Sequence, residues 1–66
     1  MPYVTVHLLR GRTMEQKRRL IARITEALVE ETGARHEMVQ VRLQEVSKED
    51  WGRGGLLGID RVDVIH

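Results

Sequence analysis

Pro2-Tyr3-Val4-Thr5-Val6-His7-Leu8-Leu9-Arg10-Gly11-Arg12-Thr13 places the end of one folding pattern against the start of another. From Tyr3 to Leu9 the residues alternate, Val4, Val6 and Leu8 on one face and Tyr3, Thr5, His7 and Leu9 on the other, which is the period of a strand. Its β-branched content agrees. Pro2 lacks an N–H, which costs nothing where an edge strand begins. Arg10-Gly11-Arg12 breaks the alternation, and Thr13 with Gln16 three residues later reads as a capping box, so a helix opens directly after the turn. Leu20, Ile21, Ile24, Ala27 and Leu28 form an apolar stripe of helical period, and Gly33 stands where a left-handed C-cap belongs. The expected helix runs from Met14 to Thr32.

Ala34 to Met38 then reads as a linker, with His36 a surface histidine in it. Val39, Val41 and Leu43 alternate with Gln40, Arg42 and Gln44, predicting a second strand whose apolar set again faces the helix. A strand, a helix and a strand of these lengths imply a right-handed β-α-β crossover with parallel strands. Lys48-Glu49-Asp50-Trp51 reads as a short helical turn, and Gly52, Gly54 and Gly55 lead into Leu56 and Leu57 as a hairpin. Those glycines do not follow a strand and open a helix, so no phosphate loop is implied. Ile59 to Ile65, with Val62 and Val64, is apolar enough for a short strand or arm that packs on another subunit. The expected class is α+β: one domain over residues 1–66, a β-α-β unit with parallel strands plus a short C-terminal hairpin or arm.

Sixty-six residues bury a small share of their surface, and this chain has no Phe and two aromatic residues, Tyr3 and Trp51. Self-association is expected to supply the missing burial. Absence of cysteine rules out disulfides and thiolate metal sites, and no histidine and carboxylate stand at ligand spacing, so no metal is expected. No apolar run reaches membrane-spanning length and no secretory pattern opens the chain; the expected compartment is cytoplasmic. A formal net charge of +1, with a basic cluster balanced by acids and no aromatic interleaving, gives no case for nucleic acid. The helix charges run against the helix dipole: Lys17, Arg18, Arg19 and Arg23 lie in its first half, Glu26, Glu30 and Glu31 in its second. An external partner is expected to compensate, either an anion near the helix N-terminus beside Arg12 or a neighbouring subunit. The simplest place for Lys17, Arg18 and Arg19 is a solvated face.

Pro2 is also a chemical candidate. Proline is small enough for methionine aminopeptidase to remove Met1, which leaves a secondary amine able to act as a base; a model α-amino group has a pKa of about 7.7 to 8.0, close to where a general base works best. The opening Pro2-Tyr3-Val4-Thr5-Val6, the turn Leu9-Arg10-Gly11-Arg12-Thr13, the following Glu15-Gln16-Lys17 and the loop Gly52-Arg53-Gly54-Gly55 resemble the 4-oxalocrotonate tautomerase family, in order and over nearly the whole chain. The resemblance implies a cofactor-independent isomerase in which Pro2 moves a proton between positions of an enol or keto acid. It implies further that Arg12 holds a substrate carboxylate, a role suited to a guanidinium fork, and that Trp51 walls the proline pocket. It also implies a hexamer built as a trimer of dimers, with sites at subunit boundaries.

One position departs from the family pattern. Gln40 stands where the best-known members carry a second arginine, and Arg42, two residues along the same strand face, and Arg53 are the side chains available to replace its charge. This favours an enol acid simpler than the diacid 2-hydroxymuconate. Two other readings exist: water addition or dehalogenation of an unsaturated acid, for which Asp50 is the available carboxylate, and a non-catalytic binding or structural oligomer that retains Met1.

Overall fold

The computed structural model describes residues 2–61. Met1 and most of the expected C-terminal arm, from Val62 onward, lie outside the described residues. Strand β1 (Tyr3–Leu9) is followed by helix α1 (Met14–Thr32), a single 3-10 turn (His36–Met38) and strand β2 (Gln40–Val46). A second turn (Lys48–Asp50) leads to a hairpin of β3 (Gly52–Arg53) and β4 (Leu56–Leu57), and a third (Gly58–Asp60) follows. β1 and β2 pair in parallel, with Tyr3 opposite Gln40, Thr5 opposite Arg42 and Leu9 opposite Val46. This is the β-α-β unit and hairpin that the periodicities predict. Within the arm, Ile59 and Asp60 fall in the third turn.

The helix ends are made locally. Thr13 Oγ1 accepts from the Gln16 backbone N–H at 3.1 Å, and the Thr13 N–H donates to Gln16 Oε1 at 2.9 Å, completing the capping box. At the other end Gly33 takes the left-handed conformation (φ 74°) and donates its N–H to Val29 O. The hairpin turn is equally local: Gly54 and Gly55, at φ +62° and +84°, form the two-residue connection whose twist matches antiparallel strands. Gly58 is buried, and a Cβ there would stand 3.0 Å from both Lys48 Cβ and Lys48 O, so the chain after β4 packs directly on the turn before Trp51. Its N–H donates to Trp51 O at 2.8 Å, closing that contact.

Helix α1 covers one face of the two strands. Val4, Val6, Leu8, Val41 and Leu43 are half-buried on that side, while Tyr3, Thr5, His7, Gln40 and Arg42 are exposed on the other. Parallel sheets are normally covered on both faces; here one face is open. Among the described residues no apolar side chain is buried; the one buried side chain on α1 is Thr25, whose hydroxyl donates to Ile21 O. The chain measures 43 × 24 × 15 Å with a radius of gyration of 14.9 Å, against about 11 Å for a compact domain of this length. It exposes 5275 Å², where a folded monomer of its mass exposes about 4300 Å². The chain is therefore an open shape with several large apolar side chains exposed. Tyr3, Leu56 and Ile59, each more than half exposed, are among them.

Candidate functional site

The six candidate residues divide between the two ends of the sheet. Pro2, Gln40 and Arg42 belong to the end where both parallel strands begin. Pro2 is anchored there, its carbonyl accepting from the Gln40 backbone N–H at 3.1 Å, and Tyr3 faces Gln40 as Thr5 faces Arg42. Gln40 and Arg42 project to the open face, since they are exposed and out of phase with the helix-covered Val41 and Leu43. Arg12, Trp51 and Arg53 belong to the other end, where the chain leaves β1 for the helix and β2 for the hairpin.

Strand rise fixes how far apart these groups lie. Seven residues of β1, Tyr3–Leu9, at ~3.3 Å each separate the ends by roughly 20 Å. Neither an arginine side chain nor a small acid spans that distance. The groove between α1 and the His36 turn offers no alternative: Arg18, Ile21, Ala22, Thr25, Glu26 and His36 line it, and none of the six does. Within one protomer, Pro2 and Arg12 do not meet.

The turn that carries Arg12 is tightly built. Arg10 donates its N–H to Val46 O at 2.8 Å, extending the β1–β2 ladder by one bond past Leu9, and the capping box fixes the chain again at Thr13. Strand β2 also carries a charged group that the alternation of Val39, Val41 and Leu43 did not single out. Glu45 follows Val41 and Leu43 in phase on β2, so a carboxylate occupies the face turned to the helix. Its Oε1 accepts from Lys17 Nζ at 2.6 Å, and the two side chains are about one-fifth to one-quarter exposed. Lys17, expected with Arg18 and Arg19 on a solvated face, is instead half-buried in this pair, while Arg18 and Arg19 are exposed. The signal for it was present: a carboxylate in phase with an apolar strand face demands a cation from the element packed on that face.

Glu45 Oε2 is buried without a hydrogen-bond partner. The carboxyl nevertheless stays below the usual glutamate range. The Lys17 hydrogen bond is the largest cause, partial burial opposes it, and the charges of Lys17 and Arg10 and the backbone N–H of Arg12 act in the same direction as the bond.

Trp51 is half-buried between the second turn and the hairpin, and Arg53 is exposed on β3, its carbonyl accepting from Arg61 at 3.2 Å. Asp50, the carboxylate considered for water activation, accepts from the Ser47 hydroxyl at 3.2 Å. Among the described residues no helix is long and apolar enough to cross a membrane.

An open β-α-β protomer with a proline-led first strand and a glycine hairpin is the fold of the tautomerases. Residues 2–61 match the family described as Tautomerase enzyme. The chain is 49% identical to the 2-hydroxymuconate tautomerase of Bacillus subtilis over 55 residues, 83% of this chain and 89% of that one. Among solved structures it is similar to a 4-oxalocrotonate tautomerase isozyme of Methylibium petroleiphilum, with a TM-score of 0.83 and 42% identity over 91% of this chain and all of that one. It is also similar to a heterohexameric 4-oxalocrotonate tautomerase of Chloroflexus aurantiacus, with a TM-score of 0.85 and 27% identity over 91% of this chain and 97% of that one. The chain belongs to the tautomerase family, and it is an isomerase that catalyses tautomerisation.

Proposed function

We propose that the enzyme interconverts enol and keto acids with Pro2 as the proton carrier, after Met1 has been removed, in a site that two protomers complete. The observation that carries this reading is the opposition of Pro2 and Arg12 at the two ends of β1 in a chain whose surface calls for partners. The Pro2 amine takes the proton of an enol hydroxyl, electrons move from oxygen into the conjugated carbon system, and the protonated amine returns a proton to carbon, leaving the ketone. Neutral amine is regenerated, so proton and charge balance over the cycle. Arg12 of a neighbouring protomer holds the carboxylate, and Trp51 and the hairpin it leads into form an apolar wall that lowers the local dielectric. Gln40, Arg42 and Arg53 are the donors available to the developing enolate oxygen.

The relative named above as a 2-hydroxymuconate tautomerase supports an unsaturated hydroxy acid as the substrate class. Gln40 brings no charge, which favours an acid with one carboxylate, such as phenylenolpyruvate, over a diacid. A homohexamer arranged as a trimer of dimers, working in the cytoplasm, is the assembly this reading carries. The test is the intact mass of the purified protein beside turnover of phenylenolpyruvate and 2-hydroxymuconate. Loss of Met1 with turnover, and a Pro2→Ala variant slowed in kcat by roughly 10²- to 10⁴-fold, are the expected results. Full activity with Met1 in place, or in Pro2→Ala, overturns the proline mechanism.

A further inference from the structure

One row of α1 carries charges that a single chain does not satisfy. Arg18, Ala22 and Glu26 stand four residues apart along the helix, all three exposed. With Ile21, Thr25 and, from the turn that follows the helix, His36, they line the groove beside it. The row is antisymmetric about Ala22, with a cation one step before it and an anion one step after. Within the protomer Arg18 reaches Glu15 at 3.8 Å, but both side chains are more than two-thirds exposed, and solvent screening leaves such a pair little to contribute. Glu26 has no ion-pair partner among the described residues. A cation ahead of an anion is also the order that neither the helix dipole nor pairing along a helix favours, so the pattern gives the isolated helix nothing.

We infer that this face of α1 docks a second copy of the same chain, the two helices running antiparallel about a two-fold axis at Ala22, with Arg18 of each protomer level with Glu26 of the other. At ~1.5 Å per residue, Arg18 and Glu26 lie about 6 Å to either side of Ala22 along the axis, so reversing one helix about that point exchanges the two positions. A parallel copy would instead set Arg18 beside Arg18 and Glu26 beside Glu26. The small Ala22 at the crossing lets the axes approach towards ~8 Å, the close end of helix packing. Thr25 brings no unmet donor to the contact, because its hydroxyl donates to Ile21 O at 2.8 Å. A free anion would be drawn by Arg18 and repelled by Glu26, and a cation the reverse; the partner that fits carries both signs in reversed order, and this chain itself does. The inference rests on the reading of the enzyme as a self-assembling one and goes beyond it by naming the surface; it gives no part to Pro2 or Arg12.

The experiment compares wild type, Arg18→Glu, Glu26→Arg and the double variant by native mass spectrometry over a dilution series at low and high salt, with circular dichroism to show that α1 is intact. A two-fold contact contains the pair twice, so one reversal turns two attractions into two repulsions. At low salt either single variant should need roughly tenfold or more protomer to stay half-assembled, the scale of two exposed pairs changing sign, and the difference should shrink at high salt. The double variant, with the charges exchanged, should return to within about threefold of wild type. Glu26→Arg and the double variant carry the same test if Arg18→Glu does not fold. A wild-type chain that stays monomeric overturns self-assembly itself. Single variants that assemble as wild type does, or a double variant left as weak as the single ones, leave self-assembly standing and overturn this docking face.

Discussion

A chain carrying Pro2→Ala and a chain carrying Arg12→Ala, each crippled alone, should regain activity when they are assembled together. The expectation follows from the proposed mechanism and the roughly 20 Å of strand between the two residues: on that reading the Pro2 of one chain works with the Arg12 of another. The Arg12→Ala chain keeps its proline and the Pro2→Ala chain keeps its arginine. In a one-to-one random assembly the chance that a site draws an intact Pro2 is a half, and the chance that the separate chain supplying the other end draws an intact Arg12 is again a half. About a quarter of all sites should therefore be restored, as for any two-component site at a symmetric interface. The two variants, one bearing a cleavable mass tag, would be mixed in denaturant, refolded and assayed at substrate well below the wild-type KM, with native mass spectrometry to show that chains have exchanged. Activity near one quarter of wild type per site is the expected result. Exchange of chains with activity no greater than the sum of the separate variants refutes the reasoning, because it would mean that one protomer supplies both groups.

Two further outcomes follow from contacts within the protomer. Gly58→Ala should destabilise the hairpin by about 1–3 kcal/mol, the usual cost of overpacking, because its Cβ would lie 3.0 Å from Lys48 Cβ and O; an unchanged midpoint in chemical denaturation at fixed protomer concentration would contradict this. The Glu45 carboxyl sits below its ordinary value of 4.5, so above that value its charged form favours the folded state. As pH falls from 4.5 through the lower folded pKa that contribution disappears, since there the unfolded chain binds more protons. Lys17 and Arg10 are the charged groups facing it. The stability gap between wild type and Glu45→Gln should accordingly be widest near neutrality and close in acid, in thermal melts from pH 6 to pH 3; a gap that widens in acid contradicts the sign.

The elements that sequence alone exposes are those whose causes are local. Thr13 with Gln16, and Gly33 after the apolar stripe, act within one turn of the residues they cap, and the structure has the helix at Met14–Thr32 as those signals require. The alternation of Val4, Val6 and Leu8 likewise needs no knowledge of a partner. Lys17 was misplaced for the opposite reason: its environment is set by Glu45, 28 residues away, and the charge run around it reads the same whether solvent or a carboxylate lies beneath.

The site lies one level further from the sequence. Pro2 and Arg12 are eye-catching as residue types ten positions apart, and proximity in sequence invites placing them in one pocket. A strand makes that the least available arrangement, since it holds its ends as far apart as a backbone allows. The open face with Tyr3, Thr5, His7, Gln40 and Arg42, the absence of any buried apolar side chain among the described residues and the projecting Leu56 and Ile59 are then consequences of the same design. On the proposed reading, a chain too short to enclose both a core and a pocket leaves both to its neighbours, and the surface that stabilises the assembly is also the one that binds the acid. On this account, a substitution that loosens the contact between chains should lower substrate affinity before it unfolds any protomer.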